Sequence, residues 1–362
     1  MSSLHIPKIV ITGGPCAGKT TVLAAVTQWC QERGFTPVII PEAATTLISS
    51  GFDPSTSEFQ DYIIREILHA EKLRMDAVAD GHFIKPVFIY DRGLSDARAY
   101  VSDERFESAL ARHGLNPVTA RDYYSGVIFL HSAANGAEEH YTLANNAARR
   151  ESLEEARALN GRTLEAWHGT PHLSVIENRP GQSFEDKIQM CLRSLARILG
   201  VPEPLEQERR FLLLDFKPER LPTSTVAIDI VQTYLVGATG QTERVRARGQ
   251  NNRYFYFHTL KTPVSPGVVN ECDAMIDYHD YQNFLVRKDA LLLPVTKTRH
   301  CFVYGSHYCE LDVFKGHREG LVILEIEVDD LSNEIILPDY LGPYEEITGG
   351  SAYANYALAK PV

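Results

Sequence analysis

The sequence contains no Cys-x-x-Cys pair, although six cysteines (Cys16, Cys30, Cys191, Cys272, Cys301, Cys309) are scattered along it. That spacing speaks against a disulfide framework and for reduced thiols. A secretory signal is also missing, so the expected address is the cytoplasm. No apolar run approaches the roughly 18–20 residues needed to span a bilayer, which excludes a transmembrane helix. Nor is there an excess of positive charge: 36 Lys and Arg against 47 Asp and Glu leave a net charge of −11. That balance argues against nucleic-acid binding and against simple electrostatic attraction to anionic membranes. Internal repeats and low-complexity tracts are absent as well.

What is present is a globular composition, 44% hydrophobic and 23% charged over 362 residues. A chain of that length is expected to form two domains. In the first half, short apolar runs at Ile9–Thr12, Pro37–Pro41, Val87–Tyr90, Gly126–Leu130 and Ser174–Glu177 alternate with helical patterns at 18–32, 57–79 and 183–199. Continuous apolar strands separated by helices predict an α/β domain with a parallel sheet covered on both faces. After Gly200 and Val201-Pro-Glu-Pro204 the texture changes to alternating strands, with a helix around 279–290. The expected division is therefore 1–200, a linker at 201–204, and 205–362.

Gly13-Gly14-Pro15-Cys16-Ala17-Gly18-Lys19-Thr20 satisfies G-x-x-x-x-G-K-[ST], directly after a strand and before a helix, with Thr21 next. Such a loop curls backbone N–H groups around phosphate oxygens at a helix N-terminus. Lys19 would reach the β- and γ-phosphates and Thr20 a Mg²⁺ ion, with ATP or GTP as ligand. No Asn-Lys-x-Asp run accompanies it, so the base preference stays open. Asp91, at the end of the third strand, lies where a metal-binding carboxylate is expected; capping of the next helix is the plainer alternative. Arg92 follows it in a run that resembles the Asp-Arg stretch of thymidylate and deoxynucleoside kinases, where the Arg contacts phosphate or substrate. By the same resemblance, Glu42 lies near the acceptor, as general base or as a surface helix cap. Arg149 and Arg150 sit in a polar segment, 141–154, either a lid over the transferred phosphoryl group or a solvated basic turn. Residues 5–200 resemble the AAA-type P-loop proteins, in particular the ribosylnicotinamide-kinase half of bacterial NAD-biosynthesis regulators.

Beyond residue 205, charges recur at every second position: Glu206, Glu208 and Arg210; Arg244, Arg246 and Arg248; Lys297 and Arg299; Glu310 and Asp312; Glu325 and Glu327. Thr259-Leu-Lys261 adds another basic strand end. On a strand, such spacing puts each set on one face. Glu325 and Glu327 lie inside Leu321-Val-Ile-Leu-Glu-Ile-Glu-Val328, too apolar for an edge facing water. Unpaired ions in a dry interior cost several kcal/mol each, so a closed antiparallel barrel with a polar lumen is expected. A polyanion and a divalent metal would fill it.

Glu206-x-Glu208-x-Arg210 resembles the Glu-x-Glu-x-Lys signature of the CYTH, or triphosphate tunnel metalloenzyme, superfamily. The later strands follow in that family's order, down to Glu346-Ile-Thr348 and Tyr353-Ala-Asn355. Arg210 replaces the family's Lys, and Glu271-Cys-Asp273 lies where many members carry Arg-x-Glu. The resemblance covers about 205–360 and implies an α+β domain on an eight-stranded antiparallel tunnel. It implies Mg²⁺ or Mn²⁺ on Glu206, Glu208, Glu325 and Glu327, with Glu310 or Asp312 assisting. Arg210, Arg244, Arg246, Lys261, Lys297 and Arg299 would then grip a triphosphate. The whole layout is similar to an animal protein of photoreceptor-channel translocation described as binding GTP and phosphatidic acid. That likeness implies a nucleotide-dependent regulator whose second domain takes a phosphorylated ligand or lipid, as the alternative to a triphosphatase joined to a P-loop kinase or NTPase.

Two further signals lead elsewhere. His300-Cys301 and His307-x-Cys309 flank a turn, where residues alternate faces and do not converge on zinc. Trp167 and Tyr254-Phe-Tyr-Phe257 are expected in packing rather than in base stacking.

Overall fold

The computed structural model describes residues 6–141, 152–179, 181–201, 207–265, 268–305, 307–328 and 335–361. Arg149, Arg150 and Glu206 lie outside them. The chain forms two compact units, Met1–Ile198 and Leu199–Val362.

The first unit runs β1 (Lys8–Gly13), α1 (Lys19–Glu32), β2 (Thr36–Ile40), α2 (Ala43–Ser49), α3 (Phe59–Ala79), β3 (Pro86–Asp91), α4 (Asp103–Ala111), α5 (Pro117–Asp122), β4 (Gly126–Leu130), α6 (Leu153–Glu165), β5 (Leu173–Ile176) and α7 (Phe184–Ile198). Its five strands are all parallel, in the order β2-β3-β1-β4-β5. The strands are apolar along their length because both faces are covered: Ile9, Val10, Ile11, Val87, Phe88, Ile89 and Val127 through Leu130 are all fully buried. Trp167 is core, edge-on to Tyr124 at 5.5 Å. Parallel order brings the C-terminal ends of β1 and β3 side by side, with Ile11 opposite Asp91. Ligands of open α/β sheets bind at that rim.

The second unit runs β6 (Gln207–Leu213), β7 (Val226–Leu235), β8 (Thr242–Gln250), β9 (Arg253–Ser265), β10 (Val268–Ile276), α8 (Tyr278–Leu285), β11 (Val295–Tyr304), β12 (His307–Lys315), β13 (Val322–Val328), β14 (Tyr344–Glu346) and α9 (Asn355–Leu358). They form one antiparallel sheet of nine strands, ordered β10-β9-β8-β7-β11-β12-β13-β6-β14. The expected closed barrel of eight strands is corrected on two points. There is a ninth strand, the short β14 on the outer side of β6. Among the described residues β10 and β14 are edges that do not pair with each other.

Side chains sort cleanly between the two faces of this sheet, because directly opposed residues of a ladder share a face. Phe211, Leu311, Leu324 and Ile326 point to the face covered by Ile335, Leu337 and Leu341. Val245, Ala247 and Leu235 join that face, where α8 packs through Tyr281, Phe284 and Leu285. Although Arg209 and Glu243 lie on the packed side, the opposite face carries the alternating runs of charge. One end of it is apolar, with Tyr234, Val295, Phe314 and Ile323 sealed by Ile347, Leu358 and Ala359 of the C-terminal segment. His317 and Arg318 hold that segment by bonding the Leu358 carbonyl at 2.8 and 2.9 Å. Burial is therefore not confined to the face packed by helix and loop: Arg248, Lys297 and Asp312 of the charged face are buried as well.

Candidate functional site

In the first unit, the loop between β1 and α1 is shaped by backbone positions that side chains rarely occupy. Gly18 has φ +85°, and Cys16, a non-glycine residue, has φ +54°. A Cβ on Gly18 would meet the Phe184 ring at 2.4 Å, and one on Gly14 would meet Asn160 and Ser132 at 2.6 and 2.9 Å. The loop is also anchored from behind: Ser132 donates its hydroxyl to the Pro15 carbonyl, and Ala133 N–H reaches the Cys16 carbonyl at 3.3 Å. The amides are thus held open in a cradle at the N-terminus of α1, the arrangement that binds phosphate.

Lys19, Glu42, Asp91 and Arg92 converge beside this cradle, in a cleft of about 1310 Å³ that also takes in Thr20, Thr21 and Asp96. Burial, and then the neighbouring Arg92, pulls the Lys19 ammonium down to about 8. Burial, and then Glu42, pushes the Asp91 carboxyl up to about 6. Arg92, with φ +70°, bonds Glu42 at 2.9 Å and Asp96 at 3.3 Å. Glu42 is the residue before α2, yet its side chain makes no cap bond to the helix backbone. It is pinned instead by Arg92 and by the Thr45 hydroxyl at 2.7 Å. Against the push of burial, Arg92 and Lys19 hold its carboxyl below the usual range. Asp91 Oδ1 is buried with no hydrogen-bond partner. A carboxylate oxygen left without a donor at the mouth of a phosphate cradle fits a divalent cation, a hard acid that prefers such oxygens.

Two residues of this cleft carry no sequence expectation. Asp96 accepts from the Thr12 hydroxyl and from Gly93 N–H at 2.8 Å, which fixes the turn bearing Arg92. Lys187 lines the cleft although only 4% exposed, donating to the His131 carbonyl at 2.8 Å and to Asn178 at 2.7 Å. Burial pulls its ammonium down to about 8. The signal for it is periodicity, since Lys187 stands in the buried stripe of α7 with Cys191 and Leu195. Asp96 has none beyond its carboxylate.

In the second unit, register brings the period-two charges of six strands onto one face. Glu208 stands opposite Glu327, Arg210 opposite Glu325, Glu310 opposite Glu325, and Arg299 opposite Asp312. Arg246 stands opposite Gln232, which in turn opposes Val295 on the strand of Lys297 and Arg299. Thr242 links Arg244 and Arg246 to Lys261, and Lys261 faces Glu271. All the residues expected to grip phosphate, Arg210, Arg244, Arg246, Lys261, Lys297 and Arg299, therefore share this face with Glu208, Glu310, Asp312, Glu325 and Glu327. Arg248 belongs to it too, 3% exposed.

The acidic residues expected to hold metal divide into two groups. Glu310, Asp312 and Glu325 do not form a metal cluster, because Arg299 lies among them: it bonds Asp312 through Nε and Nη2 at 2.7 Å, Glu325 at 2.7 Å, and also Glu310. Lys297 holds Asp312 from the other side. These bases keep the Asp312 carboxyl low despite burial, whereas burial and Asp312 push Glu325 up. Among the described residues no three His, Cys, Asp or Glu side chains form a metal-holding group. Glu208 and Glu327 are a different case. Two carboxylates directly opposed on neighbouring strands repel; Arg210 Nε, 3.3 Å from Glu208, offsets part of that, and a divalent cation, which prefers such oxygens, would offset the rest.

The basic side is dense. Burial pulls the Arg246 guanidinium down to about 10, with Asp273 opposing and Arg244, Arg248 and Arg299 adding repulsion. The Nε–H groups of Arg244 and Arg246 are buried without an acceptor, whereas Arg210 Nε lies 3.3 Å from a Glu208 carboxylate oxygen. Phe257 lies under Arg246 at 5.1 Å, a packing role rather than a stacking platform for bases.

A family model described as an AAA domain matches residues 8–187. An inorganic triphosphatase of Nitrosomonas europaea is 32% identical over 158 residues, which is 42% of this chain and 96% of that protein. One of Acetivibrio thermocellus is 39% identical over 66 residues, 18% of this chain and 41% of that protein. A crystal structure of an inorganic triphosphatase, 28% identical, covers 44% of this chain and 98% of its own, at a TM-score of 0.33. Among the described residues, no helix is long and apolar enough to cross a membrane. With nearly the full length of the Nitrosomonas protein matched at that identity, the chain belongs, over its C-terminal part, to the family of the inorganic triphosphatases.

Proposed function

We propose that this chain is an enzyme with two phosphate sites. The cleft of the first unit binds a nucleoside triphosphate and transfers or hydrolyses its γ-phosphoryl group, and the charged face of the second unit binds and hydrolyses a triphosphate. The observation that carries the second assignment is the gathering of Arg210, Arg244, Arg246, Lys261, Lys297 and Arg299 on one sheet face, some with buried N–H donors left over. Guanidinium groups so placed have no partner better suited than phosphate oxygens. The names of the related triphosphatases support the same substrate.

In the cleft, the P-loop amides and Lys19 would cradle the β- and γ-phosphates, and Arg92, held in place by Glu42 and Asp96, would face the transferred group. A divalent cation, held by Thr20 and Asp91 there or by Glu208 and Glu327 on the sheet, would neutralise charge on the phosphoryl oxygens. On the sheet, the bases orient the triphosphate so that water attacks a terminal phosphorus. The bridging P–O bond breaks, orthophosphate and pyrophosphate leave, and the proton from water passes to solvent or to the leaving oxygen. The α2–α3 wall of the cleft, with Ile48, Phe59, Ile63 and Ile67, offers an apolar surface to an acceptor molecule, which favours transfer to a small molecule alongside hydrolysis.

Orthophosphate release from tripolyphosphate, with Mg²⁺ or Mn²⁺ and with chelator, tests the sheet assignment. Binding of ATP and GTP by the protein and by its Lys19→Ala variant tests the cleft. Release that chelator does not reduce, or nucleotide affinity that Lys19→Ala does not lower, contradicts the corresponding half.

A further inference from the structure

The basic end of the charged face carries its own counter-ions. Arg244 and Lys261 both reach Glu271, at 3.3 and 2.6 Å, and Arg246 reaches Asp273 at 2.9 Å. The second Asp273 oxygen accepts from the Thr259 hydroxyl at 2.5 Å. Both acids come from β10, an edge strand whose ladder runs to β9 alone among the described residues. The match between acids and bases is incomplete. A guanidinium has five N–H donors, and the Nε–H groups of Arg244 and Arg246 are buried without an acceptor. Two carboxylates thus hold three bases and leave donors over.

We propose that Glu271 and Asp273 are internal substitutes for the bound anion: they take donors that a triphosphate would use, and incoming phosphates displace them. The proposal rests on the reading of this face as a triphosphate site. Displacement leaves the fold intact, because it turns two side chains and breaks no ladder bond of β10. The Glu271 side chain is already 32% exposed, so water can take it up. The consequence is selectivity by charge and length. Orthophosphate offers one set of oxygens and cannot replace both carboxylates at once. A triphosphate carries three such sets, reaches all three bases, and also satisfies the leftover N–H groups. Glu271 and Asp273 therefore set which phosphates enter.

The test is calorimetric binding of tripolyphosphate and of orthophosphate, without divalent cation, to the wild type, Glu271→Gln, Asp273→Asn and the double variant. The amides keep the side-chain shape and remove the competing charge. The expected result is tripolyphosphate affinity raised about tenfold or more in the double variant, the scale of one charge-assisted hydrogen bond, with orthophosphate binding newly measurable. Unchanged or weakened tripolyphosphate affinity overturns the proposal; weakening would mean that the two acids recruit a cation or hold the bases in place. Arg246→Ala separates this failure from a failure of the underlying reading. If wild type and Arg246→Ala bind tripolyphosphate equally, or neither binds it, the triphosphate site itself is wrong. If Arg246→Ala weakens binding and the amides do not strengthen it, only the displacement is wrong. Should Asp273→Asn unfold, the more exposed Glu271→Gln carries the same comparison, with a smaller gain expected.

Discussion

Arg299 on β11 donates to Glu325 on β13 at 2.7 Å, across the whole width of the intervening β12. Adjacent strands lie about 4.8 Å apart, so a single side chain spans two inter-strand gaps. The same guanidinium binds Asp312 through two nitrogens and also reaches Glu310. It thereby neutralises three carboxylates of this face at once.

Arg299→Ala should therefore be strongly destabilising, since it strands buried carboxylates rather than merely removing a contact. A loss of about 3–5 kcal/mol is expected, the usual cost of removing one partner of a buried ion pair. The measurement is the urea midpoint of the second unit's transition. Arg299→Lys should recover only part of the loss, because an ammonium cannot fork between Asp312 and Glu325.

Lys19 titrates at about 8, held down by burial and then by Arg92. Bound phosphate favours the charged ammonium, so binding above pH 8 should take up a proton. Nucleotide affinity is then expected to fall by up to about tenfold per pH unit above that point. Calorimetry at pH 9 in two buffers of different ionisation enthalpy reads the uptake directly. Buffer-independent heats would contradict the assignment.

Asp91 shows the opposite sign. Its folded value of about 6 lies above the ordinary 3.8. Below pH 3.8 both states are protonated and the carboxyl contributes nothing. Between 3.8 and 6 the unfolded chain ionises first, so stability falls as pH rises, and above 6 the penalty is complete. Asp91→Asn should stabilise the first unit by roughly 2–3 kcal/mol at pH 7, with no gain near pH 3.5, in metal-free buffer. The same substitution should abolish metal-dependent nucleotide turnover.

Gly13 has φ +150°, and a Cβ there would lie 2.1 Å from the Leu130 carbonyl oxygen. Backbone of the neighbouring parallel strand cannot yield as a side chain can. Gly13→Ala should cost about 2 kcal/mol or more, seen as a lowered thermal midpoint. Gly34→Ala has nothing within 4 Å of its Cβ, and only its φ of +76° to resist it. It should cost about 1 kcal/mol.

Much of this arrangement is legible in the sequence because two periodicities are strong. The five apolar runs of the first half become β1 to β5, within a residue or two, since a sheet covered on both faces leaves no room for polar residues. The alternating charges become one face because the side-chain period of a strand is two. The count and closure of the sheet are not legible in this way. Ile228, Ile230 and Gln232 of β7 lie on the charged face but bear no charge, and β14 is three residues long. An open order also escapes notice when closure is inferred from the cost of unpaired ions: here Arg299, Lys297 and Arg246 already pair with acids across strands. The helix expected over 279–290 ends at Leu285, because Arg287 and Asp289 turn back to bond Val236, just past β7, and Tyr234 within it. Tertiary bonds of that kind leave no local trace.

The most direct measurement of the central claim is kcat/KM for tripolyphosphate in two variants assayed side by side. Lys19→Ala disables the cleft, whereas Arg246→Ala disables the charged face. Lys19→Ala should retain wild-type release of orthophosphate, and Arg246→Ala should lose about a hundredfold, the scale of two charge-assisted bonds. Loss in Lys19→Ala with full activity in Arg246→Ala would place the triphosphate chemistry in the P-loop cleft and contradict the account.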